Sequence, residues 1–384
     1  MTIIAAPDSF KNNFNSYEAC EIIKEGILRA DSNAIVHTIP LADGGEGTAD
    51  AITYAAKGRF IKVHVTGPMG GKIGAKFGLI KDRRVAVLDM ASASGIELLG
   101  KDKLNPMKAT SYGTGELIAA ALDTNAEEII VGIGGSATND GGLGMLCALG
   151  FRALDVHGRE TGYGGEALAR ITSFDASGAD KRLCSVSIRA ACDVTNPLLG
   201  PDGASLVFGP QKGASTKMAK QLEAGMARLG EAWIKAGLAT NLEQPGDGAG
   251  GGIGAALRVC LKAKIESGAL LVMRYAGFFD RLAEADLIIT GEGTTDSQTA
   301  CGKLCTAVAR EGRKAGVPVA LLSGALCGNT ADILSTFDYA VSIACGQSCL
   351  DEMIKDSRRD LSFAAENLIR AVYIGRHPYM PSPC

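Results

Sequence analysis

The chain has 384 residues, 46% of them hydrophobic and 21% charged, with a net charge of −3, so it reads as an ordinary globular protein with room for two domains. No basic excess is available to neutralise phosphates along a duplex, and no apolar run reaches the roughly 18 residues that a membrane span needs, so neither nucleic acid nor a membrane is expected as a partner. Eleven cysteines without a C-x-x-C pair and four scattered histidines argue against disulfide staples and a zinc site.

The chain opens on a short apolar strand, Thr2 to Ala6, with Asp8 too early and basic residues too few for a signal peptide, which points to the cytoplasm. A helix follows, capped by Asn15 with Glu18, and its Ala19, Ile22, Ile23 and Ile27 share one face. Ile35–Ile39 reads as a strand, and a helix over about Thr48–Lys57 should stop at Gly58. Further strands are predicted at Phe60–Val65, Val85–Met90, Glu128–Ile133, Val186–Ala191, Asp286–Thr290, Val317–Leu322 and Tyr339–Ile343. Helical patterns lie between many of them, at Gly115–Leu122, Lys217–Lys235, Ile253–Lys264, Lys303–Lys314 and Ser362–Val372. On the long one, Leu222, Met226, Leu229 and Trp233 read as core. This alternation predicts an α/β fold with mostly parallel sheets and active loops at the strands' carboxyl ends. The glycine- and lysine-rich stretch Thr66 to Lys81 reads as the passage into a second domain. The expected division is therefore a discontinuous, doubly wound, flavodoxin-like domain over 1–75 and 286–384, interrupted by an α/β domain over 76–285.

Fifty glycines, roughly twice the usual frequency, cluster after strand-like runs beside acids, hydroxyls and amides. Five such loops are Pro7–Lys11, Asp43–Thr48, Gly134–Gly142, Asp193–Pro197 and Gly291–Thr299; a sixth, Pro245–Gly252, precedes a helix. Glycine frees backbone N–H groups to cradle phosphate oxygens, and carboxylates can hold Mg²⁺. Any one such loop reads better as a structural turn. Six together point to one site for phosphoryl transfer. Gly302-Lys303 and Gly71-Lys72 both lack the hydroxyl residue that completes a P-loop, so this is not that class. A rival is present: Gly132-Ile133-Gly134-Gly135-Ser136-Ala137 matches the dinucleotide fingerprint G-x-G-x-x-A after a strand, with Asp155 as ribose acid, which would make an NAD-dependent oxidoreductase.

Read together, Ala6-Pro7-Asp8-Ser9-Phe10-Lys11, Leu41 to Thr48, Ala91 to Gly95, Thr110 to Glu116, Gly132 to Gly144, Cys192 to Leu198, Phe208 to Gly213, Pro245 to Gly252 and Thr290 to Gly293 closely resemble the bacterial type-1 glycerate kinase family. The likeness runs from about Thr2 to Val372. It implies two α/β domains, one inserted in the other, with the active site in the interdomain cleft. It also implies transfer of the ATP γ-phosphate to D-glycerate with Mg²⁺, giving 2-phosphoglycerate; a kinase for another short hydroxy acid is the nearest alternative. With the loops, it makes Asp193 and Lys11 the catalytic candidates. Asp8, Ser9, Asp43, Gly44, Ser136, Asn196, Lys212, Asp247, Gly291 and Glu292 become candidates for substrate or phosphate, and Asp43 with Glu46 for Mg²⁺. Thr294 stands where the family places an arginine, a difference on the order of 2 kcal/mol if that arginine meets phosphate or carboxylate. The oligomeric state is left open, a homodimer being admitted.

Overall fold

A computed structural model of the chain describes residues 1–11, 13–296, 304–346 and 349–376. Residues 297–299 of the Gly291–Thr299 loop and the Gly302-Lys303 pair lie outside the described residues. Thirteen strands are formed among the described residues: β1 (Thr2–Ala5), β2 (Ile35–Thr38), β3 (Arg59–Thr66), β4 (Lys72–Ile80), β5 (Val85–Asp89), β6 (Glu128–Gly132), β7 (Arg152–Leu154), β8 (Ser173–Asp175), β9 (Ser187–Ala191), β10 (Lys264–Glu266), β11 (Leu287–Asp296), β12 (Val319–Cys327) and β13 (Tyr339–Ser342). The chain is α/β with mostly parallel pairing, as its alternating pattern predicts.

It divides into two units, Met1–Ala42 with Val272–Cys384, and Asp43–Leu271. The divisions fall at 42/43 and 271/272, not at 75/76 and 285/286. The reason is β4. The stretch Thr66 to Lys81, expected to be a passage between domains, is a strand in antiparallel register with β3, from Arg59↔Leu79 to Thr66↔Lys72. Its glycines hide the β-pattern of Ile73, Ala75, Phe77 and Leu79.

In the first unit five parallel strands run in the order β2-β1-β11-β12-β13. Counted within the unit this is 2-1-3-4-5, the flavodoxin-like order. Ile3, Ile289 and Leu322 are buried with Ile22, Ile23 and Ile27 of the helix Ser16–Ala30. That helix begins at a true capping box, Asn15 accepting from the Glu18 N–H and Glu18 accepting from the Asn15 N–H.

The second unit has a six-stranded sheet, β10-β9-β6-β5-β4-β3, parallel from β10 to β5 and antiparallel thereafter, beside a β7–β8 hairpin. Its core includes Phe77, Leu88, Val131 and, from the helix Thr216–Lys235, Leu222, Met226, Leu229 and Trp233, all fully buried. The helix Thr48–Ala55 ends earlier than expected, with Lys57 rather than Gly58 in the left-handed conformation at its C-terminus.

Candidate active site

In the second unit the strand register decides what meets what. Asp89, Gly132, Ala191 and Glu266 are level across β5, β6, β9 and β10. The loops after these four strands therefore start side by side at the carboxyl edge, the place where open α/β sheets present ligand sites. Onto this edge folds the loop Asp43–Gly47. A methyl group on Gly44 would lie 2.8 Å from Gly268 Cα and 3.0 Å from the Ala191 carbonyl carbon, and its φ is +88°, so only glycine fits there. Asp89, buried, accepts from the N–H of Gly47 and of Ala49, each at 3.0 Å. It caps the helix Thr48–Ala55 from a different strand. Burial pushes its carboxyl up to about 8, against those two hydrogen bonds and helped by the charges of Asp50 and Glu46.

Asp193 stands two residues past β9. Its Oδ1 accepts from Ser267 Oγ at 2.8 Å and the Gly268 N–H at 2.9 Å, and its Oδ2 accepts from the Ala269 N–H at 3.0 Å. The donors belong to the start of the helix Gly268–Tyr275. Burial raises the Asp193 pKa, the Ser267 and backbone hydrogen bonds oppose that, and the charge of Asp43 adds to it. Asp43 and Asp193 thus share a neighbourhood. Asp43 is exposed and receives the Gly45 N–H at 3.0 Å on Oδ1; Glu46 is exposed on the same loop.

The segment after β6 completes this edge. A methyl on Gly134 would sit 2.7 Å from Gly45 Cα, so the two loops touch. Ser136 is buried, and its hydroxyl is 2.6 Å from the Nζ of Lys212, which also donates to the Thr138 carbonyl at 2.6 Å. Lys212 is itself buried; desolvation lowers its pKa to about 7, with Asp140 pulling the other way.

Two expected ligand residues are engaged elsewhere. Asp247 is fully buried and forms a bidentate pair with Arg258, 2.7 Å from Nε and 2.6 Å from Nη2, and also takes the Gln244 N–H. The loop around it is packed inside the unit: a methyl on Gly251 would lie 2.0 Å from the Thr138 carbonyl oxygen. Asn196 donates to the Asp202 carbonyl, and its own carbonyl takes the Gly248 N–H, so it braces that same loop. The dinucleotide fingerprint also fails structurally. It requires a helix directly after the glycines, but the next helix, Leu143–Ala148, begins beyond two left-handed glycines, Gly141 and Gly142.

In the first unit, the topological switch lies between β1 and β11, since the chain leaves these neighbours toward opposite sides of the sheet. Asp8, Ser9 and Lys11 follow β1, and Gly291 and Glu292 lie on the part of β11 that extends past it. The Asp8 N–H donates to the Gly291 carbonyl at 2.8 Å and the Ser9 N–H to Asp8 Oδ1 at 2.6 Å. A methyl on Gly293 would lie 3.4 Å from the Lys11 nitrogen. Glu292 accepts from Thr295 Oγ1 at 2.7 Å, and Thr294 is exposed. Burial raises the pKa of Cys305, and the charges of Glu292 and Asp8 add to it, so all three share this end of the sheet. The sequence reading missed Ser267, Asp89 and Cys305. Ser267-Gly268 ahead of an apolar helix was a readable cap, whereas nothing local marks the partners of Asp89.

Against known proteins, the model of the glycerate kinase family matches residues 3–373. The chain belongs to the glycerate kinase family. It is 42% identical to the glycerate kinase of Bacillus subtilis (strain 168) over 99% of this chain and 100% of that one. It is 40% identical to the glycerate 2-kinase of Escherichia coli (strain K12), over 98% and 99%. A crystal structure from Salmonella typhimurium LT2, assigned as glycerate kinase 2, matches with a TM-score of 0.88 at 41% identity, over 98% of this chain and 99% of that one. Family membership agrees with the resemblance carried by the loops, and it makes ATP the expected phosphoryl donor. Among the described residues, no helix is long and apolar enough to cross a membrane.

Proposed function

We propose that this protein is a cytoplasmic ATP-dependent kinase that phosphorylates the C2 hydroxyl of D-glycerate, giving 2-phosphoglycerate. The observation that carries the reading is Asp193 at the sheet's carboxyl edge, held by three donors beside Asp43 and the Gly134–Ser136 segment. Phosphoryl transfer asks little covalent chemistry of a protein: it needs positioning, charge neutralisation and a place for one proton. The substrate hydroxyl oxygen forms a bond to the γ-phosphorus, the bond from that phosphorus to the bridging oxygen breaks, and ADP leaves with the electron pair. Asp193 orients the hydroxyl and receives its proton. A carboxylate whose pKa is raised by burial is a better acceptor at neutral pH than a solvated one.

Lys11, exposed beside Asp8, Ser9, Gly291 and Glu292, supplies positive charge to a phosphoryl or carboxylate oxygen. For Mg²⁺ the available donors are hard oxygens. Among the described residues no trio of His, Cys, Asp or Glu forms a closed metal cage. Mg²⁺ needs no such cage, since one or two carboxylates together with substrate phosphates and water suffice. Asp43 and Glu46 would hold it, and it would neutralise charge on the phosphate oxygens.

The test is ADP release with ATP and D-glycerate, with phosphorus NMR of the product. Turnover giving the 2-phospho ester supports the proposal; turnover only with a different hydroxy acid, or none at all, rejects it.

A further inference from the structure

Lys212 is the least expected group in the second unit, a lysine 2% exposed at the end of the 3₁₀ turn Pro210–Lys212. Among the described residues it makes no ion pair. Asp140 is the opposite charge within reach, and its oxygens are taken by the N–H and hydroxyl of Ser111 and the N–H groups of Gly142 and Gly144. A charged ammonium donates and never accepts. Burial brings the Lys212 pKa down to about 7, and an anionic oxygen arriving nearby favours its charged form; in that form Lys212 donates to Ser136 Oγ, the Ser136 hydroxyl hydrogen points elsewhere, and no acceptor for it exists among the described residues. The backbone around it is in the same condition. No described acceptor takes the N–H of Gly134, Gly135 or Ser136, although the carbonyl of Gly135 and the N–H of Ala137 are paired with Ile96 and Ser94. Gly135 sits at φ +70°, the left-handed turn that lets successive amides face one point. Three free amides, one hydroxyl left with only its hydrogen to give, and a buried cation behind them form a donor-only cradle. Its complement is an oxyanion.

We infer that Gly134–Ser136 binds an anionic oxygen of a substrate and that Lys212 is a positioning residue, acting through Ser136 and the Thr138 carbonyl rather than touching the ligand. This inference rests on the kinase reading and deepens it. The oxygen belongs to either the phosphoryl chain of ATP or the carboxylate of D-glycerate; both present the same chemistry.

The test compares the full-length wild type with Ser136→Ala, Lys212→Met and the double variant, each confirmed as folded by circular dichroism. KM for ATP and for D-glycerate are measured separately. Loss of one charge-assisted hydrogen bond should raise one KM about tenfold, the same one in both single variants, with kcat changed less than about threefold. The double variant should be little worse than the poorer single, because both remove one interaction. The KM that moves names the oxygen. Additive losses, or Lys212→Met with both KM values as in the wild type, overturn the inference. If Lys212→Met does not fold, Ser136→Ala decides alone, and unchanged KM values overturn it. Should wild type show no turnover of D-glycerate, the kinase reading fails separately. Calorimetry with inorganic phosphate then replaces kinetics: weaker binding in Ser136→Ala supports the cradle, and equal or absent binding overturns it.

Discussion

Asp193→Asn separates a catalytic carboxylate from a structural strut, because both roles are written into the same three hydrogen bonds. In its best orientation the amide oxygen keeps Ser267 Oγ and the Gly268 N–H, and the amide nitrogen then faces the Ala269 N–H, donor against donor. The lost charge-assisted bond costs about 1.5–3 kcal/mol, and the lost anion at a helix N-terminus about 0.5 more. Removing a desolvated charge next to Asp43 gives part of that back, so a net destabilisation of about 1–2 kcal/mol is expected. That effect is read from urea unfolding midpoints. If Asp193 also takes the hydroxyl proton, kcat should fall about 10²- to 10⁴-fold, far beyond what the stability change explains. Ser267→Ala is the control: it removes one of the same bonds, costs about 1 kcal/mol, and should leave kcat within about tenfold. The wild-type kcat/KM should decline on the acid side through a group titrating above the ordinary aspartate range, since Asp193 must be ionised to act. An Asp193→Asn enzyme that is folded, less stable and catalytically normal would refute the proton-accepting role and leave only the strut.

Arg258→Met should destabilise the chain by about 3 kcal/mol, because it strands the buried charge of Asp247, while KM for both substrates in the folded fraction stays unchanged. Gly44→Ala should cost about 3 kcal/mol or abolish activity outright, since a Cβ there meets Gly268 Cα at 2.8 Å and φ is +88°. Thermal unfolding alongside kcat/KM tests both. Asp89 supplies a pH prediction with a definite sign. Its carboxyl holds a proton in the folded chain up to about 8 and loses it near 3.8 when exposed, so the folded state binds more protons in between. Its contribution to stability therefore falls as pH rises through that window, by up to about 1.4 kcal/mol per unit, and Asp89→Asn should flatten the slope in urea titrations at successive pH values.

Much of the fold was legible because its determinants are local. Short apolar-rich runs ending in glycine or acid mark β1, β5, β6, β9 and β11, and the Asn15–Glu18 box marks a helix start within one residue of where it lies. What failed had a physical mask. In β4 the glycines at 74 and 78 suppress the apparent strand propensity while pairing with β3 and β5 supplies the order. The unit boundary moved with it. The end of the helix Thr48–Ala55 was assigned to Gly58 by residue type, yet Lys57 takes the left-handed angle, which no rule of composition anticipates.

The site was legible as a list of loops but not as a sorting of them. Asp43, Asp193 and Asp247 share one sequence recipe, an acid next to glycine or after an apolar run, and the structure gives them three fates. Asp247 is neutralised by Arg258, eleven residues on along a helix, so its charge is spent inside the unit. Asp193 is held by a helix start 74 residues away, through amides and a hydroxyl that orient it without neutralising it. Asp43 keeps its carboxylate at the surface and, among the described residues, is held through one N–H two residues on. An acid in such a loop is available for chemistry to the degree that its partners are neutral donors rather than a cation. That distinction depends on strand register, Asp89 level with Gly132 and Gly132 level with Ala191, and register is a property of the folded sheet.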